Sequence, residues 1–194
     1  MSEILSGKKV GVAFTAAAGL IPAVTKEVET LVEAGVTVIP IFSTMTVELD
    51  EGDRWQENLH RITGQKPWTS IRQAERIGPG RLLDLLLIAP CTGNTLGKFA
   101  NAITDGPVLM AAKATLRNGR PVVLGIATND ALGLNARNLG VLLASKGIYF
   151  VPFGQDNPRE KPTSLVFRPE LIQPTLEAAL AGRQYQPLLY VPLT

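Results

Sequence analysis

Five short apolar runs, each set between stretches of helical period, constrain this chain more than any other feature. The runs fall at residues 8–14, 36–42, 82–89, 121–127 and 148–153. Between the first two, Val24, Val28, Leu31 and Val32 share one helical face, and Lys26, Glu27, Glu29 and Glu33 share the other. Gly35 stands where a helix ends on a left-handed residue. Strand, loop, helix, glycine and strand within 35 residues predict a right-handed βαβ unit. Residues 82–89 are too apolar to alternate, as befits a parallel strand covered on both sides.

The same pattern continues down the chain. The spacing predicts helices over 94–103, over 108–117 with Pro107 in the first turn, and over 131–146 ended by Gly147. A last helix falls within 169–181, where Pro174 kinks it or resets its start. The least periodic stretch, 43–79, holds an amphipathic piece at 53–62 and a short edge strand near Ile77. Residues 154–168 read as a long polar loop carrying Pro158 and Pro162. The expected architecture is a three-layer, doubly wound parallel α/β sheet of five to six strands, Rossmann- or flavodoxin-like. It forms one domain over 1–182. The apolar, proline-rich tail 183–194 is expected to pack on a neighbouring subunit.

Composition removes several classes of function. The 194 residues are 45% hydrophobic and 19% charged, with a net charge of +2 and no basic stripe, so nucleic acid is not an expected partner. No apolar run reaches the ~20 residues that span a bilayer, and the first residues lack a signal-peptide layout. A single cysteine allows no internal disulfide and points to a reducing cytoplasm; with a single histidine it leaves no structural metal site.

In a parallel sheet, ligands gather at the carboxyl ends of the strands. That selects the loops 15–19, 43–46, 90–95, 128–130 and 154–156. None carries a Gly-x-Gly-x-x-Gly fingerprint or a P-loop, which disfavours a dinucleotide site or an ATPase in this chain. The most informative segment is Ala89-Pro90-Cys91-Thr92-Gly93-Asn94-Thr95-Leu96. Thr92 is a natural N-cap, Gly93 lets a ligand approach the backbone, and Asn94 can donate to and accept from the edge of a heterocycle. Cys91 reads as a small buried filler and His60 as a solvated helix residue. Asp84 marks the start of the third strand. Lys98, Lys113 and Arg117 are the cations able to pair with a dicarboxylate, although solvated helix faces are their default positions.

Pro90-Cys-Thr-Gly-Asn-Thr95, followed by Leu-Gly-Lys-Phe-Ala-Asn-Ala-Ile-Thr-Asp105, resembles the Pro-Ala-Ser-Ala-Asn-Thr motif of the homo-oligomeric flavin-containing cysteine decarboxylases. The runs 107–118, 122–135 and 148–156 resemble the sporulation branch of that superfamily, the B subunits of dipicolinate synthase. The resemblance implies an FMN-binding fold of six parallel strands and a trimer-based homo-oligomer. It also implies a part in oxidising dihydrodipicolinate, a dicarboxylate, to dipicolinate in the mother-cell cytoplasm, with an A subunit that supplies NADPH.

On the same resemblance, Thr15, Ala16, Ala17, Ser43 and Thr44 would face the flavin phosphate and ribityl chain. Pro90, Thr92, Gly93, Asn94 and Thr95 would lie along the isoalloxazine, with Asn94 at its reactive edge as the candidate catalytic residue. Thr128 and Asn129 occupy the region of the decarboxylases' Pro-x-Met-Asn motif. The first loop departs from the family's Thr-Gly-Ser and following histidine: it reads Thr15-Ala16-Ala17-Ala18. One charge-assisted donor fewer, worth ~1.5–3 kcal/mol, implies flavin binding about ten- to a hundredfold weaker. Two alternatives remain at this point, an FMN-dependent decarboxylase of a cysteinyl substrate and a non-enzymatic scaffold for the A subunit.

Overall fold

The apolar runs form the strands of one sheet. In chain order these are β1 (Lys9–Phe14), β2 (Thr37–Phe42), β3 (Leu85–Cys91), β4 (Val122–Thr128), β5 (Ile148–Phe150), β6 (Phe153–Gly154) and β7 (Leu165–Phe167). The structure, a computed structural model, describes residues 4–190. The helices are α1 (Ile21–Glu33), α2 (Thr44–Leu49), α3 (Arg54–Thr63), α4 (Ile71–Glu75), α5 (Ile77–Gly80), α6 (Gly93–Ala100), α7 (Pro107–Arg117), α8 (Ala136–Leu143) and α9 (Ile172–Leu180). Among the described residues, no helix is long and apolar enough to cross a membrane.

The parallel part of the sheet runs β2-β1-β3-β4-β5. β3 is central and buried at every position. α1 packs with α3 and α9, and α7 with α4 and α5. Pro40 sits in β2, an edge strand, where a missing N–H is best tolerated. That edge is covered by Trp68, whose N–H donates to Pro40 O and whose carbonyl accepts from Phe42 N.

The sheet is mixed, which corrects the expectation of a wholly parallel one. Beyond Leu124, β4 changes partner: Ala127 and Thr128 pair antiparallel with Val166 and Leu165 of β7, which pairs in turn with β6. The predicted fifth strand is therefore two short ones separated by Val151 and Pro152, because proline has no N–H to continue a ladder. Gly125 makes the partner change possible. A Cβ there would lie 3.0 Å from the Phe167 ring and 3.0 Å from the Ala89 methyl.

Two other expectations change. Ile77 begins a short helix rather than an edge strand, and its side chain is fully buried. The helix expected over 131–146 starts at Ala136, because the Asp130 side chain and carbonyl hold residues 130–135 in turns. Asp84 does precede β3, accepting from Lys9 N at 3.0 Å. The tail, as far as Tyr190, lies along β6 of its own chain, with Leu188 O accepting from Phe153 N and Tyr190 N donating to Phe153 O. Residues 191–194 lie outside the described part.

Candidate functional site

The strand order reverses between β1 and β3, and a cleft of about 480 Å³ opens there at the carboxyl ends. Loops after β1, β2 and β3 and the approach to α7 build its walls. Of the residues predicted from sequence, Thr15, Ala16, Ser43, Thr44, Thr92, Asn94 and Thr95 line it. Ala17, Pro90, Gly93, Thr128 and Asn129 do not.

Hydroxyl groups hold the walls in place. Thr15 is buried, and its Oγ1 donates to Pro90 O at 2.7 Å while accepting from Thr92 N at 3.0 Å. Thus Pro90 acts through its carbonyl, tying the end of β3 to the end of β1. Ser43 caps α2, accepting from Thr46 N at 3.1 Å. Thr46 Oγ1 donates to Phe14 O at 3.0 Å, so the 2.7 Å contact between the two hydroxyls is donated by Ser43. Thr15 and Ser43 therefore have no free proton to offer a ligand. Contacts to an anion at the first loop fall to its backbone N–H groups.

The N-terminus of α6 is open. Thr92 has the extended backbone of an N-cap, but its side chain makes no capping bond; its Oγ1 lies 3.3 Å from both Thr15 Oγ1 and Thr95 Oγ1. The N–H groups of Gly93, Asn94 and Thr95 accordingly have no intrahelical acceptor. Asn94 is exposed on this end. Lys98, one turn further on, also lines the cleft, and its Nζ lies 2.6 Å from Asp105 Oδ2. Glu48 and Asp105 line it too, and sequence reasoning missed both. The available signals were positional: Glu48 lies one turn into the helix that Ser43 caps, and Lys98 is four residues beyond Asn94. Lys113 borders a separate apolar groove with Phe99, Ile103 and Val141. The Arg117 guanidinium lies over Gly78, where a Cβ would stand 2.2 Å from Nη2.

The other side of α6 is closed. A Cβ at Gly93 would lie 2.6 Å from Thr128 Oγ1, 2.8 Å from Asn135 Nδ2 and 2.9 Å from Asp130 Oδ1. Thr128 and Asn135 both donate to Asp130 (2.7 Å and 2.9–3.0 Å), and these bonds hold its carboxyl below the usual carboxylate range. Asn138 donates to Asn135 at 2.9 Å, and Asn101 to Asn138 at 3.3 Å. Thr128 therefore belongs to the support of α6 rather than to the cleft. Asn129, directly after β4, is tied to the β6–β7 connection, its carbonyl accepting from Thr163 Oγ1 at 2.6 Å. Cys91 is fully buried, and burial pushes its thiol up to about 12, so it carries no thiolate at neutral pH. His60 is exposed on α3, away from the cleft lining. Among the described residues, no three His, Cys, Asp or Glu side chains gather as a metal site.

A cleft of this size, with unpaired N–H groups and a carboxamide at one wall, matches small-molecule and cofactor sites. The model of the family described as Flavoprotein matches residues 1–165. The chain is 47% identical over 189 residues to the B subunit of dipicolinate synthase of Bacillus subtilis (strain 168), covering 95% of this chain and 94% of that one. The B subunit of dipicolinate synthase from Bacillus halodurans C, known as a crystal structure, is 49% identical, with a TM-score of 0.90 over 97% of this chain and 99% of that one. An FMN-dependent cysteine decarboxylase, SpaF, is 19% identical, with a TM-score of 0.66 over 92% of this chain and 97% of that one, and shares the fold. The decarboxylase and scaffold alternatives are not favoured beside the closer likeness. This chain belongs to the Flavoprotein family, in the branch that holds the B subunits of dipicolinate synthase.

Proposed function

We propose that this chain is the B subunit of a dipicolinate synthase and takes part in oxidising dihydrodipicolinate to dipicolinate during sporulation. Identity of 47% along almost the whole of both chains carries this reading. The expected setting is the mother-cell cytoplasm, with an A subunit as partner and NADPH entering through that partner. A trimer-based homo-oligomer accompanies it. Leu132, Leu134, Val141 and Leu143, exposed on and before α8, supply apolar surface for such contacts.

The cleft fits FMN in size and in donors. The N–H groups of Asn94 and Thr95 and the Asn94 carboxamide suit a neutral heteroaromatic edge, and the backbone of residues 15–16 with Thr44 suits the phosphate side. Flavin, when bound, supplies reversible two-electron redox chemistry. The chain's own contribution is to orient: Thr15 and Ser43 lock the walls through internal hydrogen bonds, and Asn94 presents a donor and an acceptor at the open end of α6. Among the described residues no histidine lines this cleft, so acid/base work falls to Glu48, Asp105, water, the cofactor or a partner's group.

The test is dipicolinate formation by the A subunit, with and without this chain and with FMN supplied or withheld. A rate that rises only when both chain and FMN are present is the expected result. A rate indifferent to the chain overturns the assignment. A rise with the chain alone removes FMN from it.

A further inference from the structure

The second feature of the cleft wall is its charge. Among the described residues its charged lining consists of Lys98, Glu48 and Asp105, so Lys98 is the one cation against two carboxylates. A substrate bearing carboxylates meets net repulsion here unless one of them reaches Lys98. Asn94 and Lys98 are four residues apart and share one face of α6, ~6 Å along the helix axis. With the flavin edge at Asn94, a substrate ring that meets that edge presents a substituent carboxylate near the Lys98 ammonium. That ammonium has three N–H donors, and the 2.6 Å bond to Asp105 uses one of them. Asp105 thus meets the ammonium at the partly exposed wall of the cleft, and two donors remain for a ligand. Lys113 and Arg117 lie away from this cleft.

We propose that Lys98, held in place by Asp105, is the carboxylate-binding residue of this cleft and determines its preference for a ring carboxylate. The proposal rests on the functional assignment above, because it takes an aromatic or dihydroaromatic carboxylate as the ligand. It extends that assignment by naming the group that recognises the substrate's charge.

The test uses calorimetry on the FMN-treated, full-length chain, with pyridine-2,6-dicarboxylate as probe and the neutral pyridine-2,6-dicarboxamide as control. Lys98→Gln is expected to weaken the dicarboxylate about ten- to a hundredfold, the range of a charge-assisted hydrogen bond. It should leave the diamide within about threefold, and Lys98→Arg should restore most of the loss. An equal loss for both probes would make Lys98 a structural residue and overturn the proposal. So would unchanged dicarboxylate affinity in Lys98→Gln, or no dicarboxylate binding by the wild-type chain. Dipicolinate formation in the two-subunit assay is scored separately, so a failed functional assignment and a failed Lys98 assignment give different patterns.

Discussion

The two sides of α6 carry the same four-residue spacing and opposite chemistry. Asn94 and Lys98 line an open cleft. Gly93 and Gly97, each one residue earlier, press against the side chains of Thr128, Asp130, Asn135 and Asn138. On the closed side every polar group named has a partner, and a side chain at Gly93 would have no room. On the open side the helix N-terminus is uncapped and the amide side chain exposed. Rigidity and an open polar surface are thus divided between two faces of one helix. A site is precise when the face that does not touch the ligand is immobile.

This division can be broken from the closed side first. Gly93→Ala places a methyl inside the Thr128–Asp130–Asn135 cluster and should cost about 2–3 kcal/mol, read from urea unfolding. Asp130→Ala leaves Asn135 and Thr128 without their acceptor and should cost about 1–2 kcal/mol. The Asp130 bonds favour its ionised form, so its stabilisation is complete above the ordinary carboxylate pKa of about 4. It fades as the pH falls through the lower folded value. The gap between wild type and Asp130→Ala should therefore be constant from neutral pH to about pH 5 and close on further acidification.

Gly97→Ala is the milder case, since its added Cβ would stand 3.3 Å from Asn138 Nδ2 and 3.5 Å from Asn135 Oδ1. Those side chains can yield, and alanine's helix propensity offsets the crowding by up to ~1 kcal/mol, so the net change should stay within about 0.5 kcal/mol. Asn94→Ala, on the open side, should change stability least, again by less than about 0.5 kcal/mol, because the side chain is exposed. Its effect should appear instead as about tenfold weaker FMN binding in an absorbance titration. Equal losses of stability from Gly93→Ala and Asn94→Ala would erase the distinction between the faces.

Much of the sheet was legible because burial on both faces writes itself locally. Leu85–Cys91 admits no polar residue until the strand ends, and Gly35 and Gly147 have the positive φ expected after their helices. The change of partner along β4 was less legible. It depends on Phe167 reaching Gly125, two residues far apart in sequence whose approach leaves no periodic trace. The same holds at the site. The hexapeptide 90–95 leads into the helix that walls the cleft, and seven of the residues predicted from sequence line it. Gly93 was assigned to the ligand for its smallness, and Thr128 and Asp130 also leave no room there for a side chain.

The alternation of strands and helices, the loops that gather at the strand ends, and the family can all be read from the linear chain. These follow from local periodicity and from motifs contained in single segments. Which polar groups remain free for a ligand is settled only in three dimensions. The Thr15 hydroxyl is consumed by Pro90 and Thr92, 75 and 77 residues away, and Lys98 is turned into the cleft by Asp105. Hydrogen-bond capacity is a property of the neighbours a group meets in space, and no segment read alone contains them.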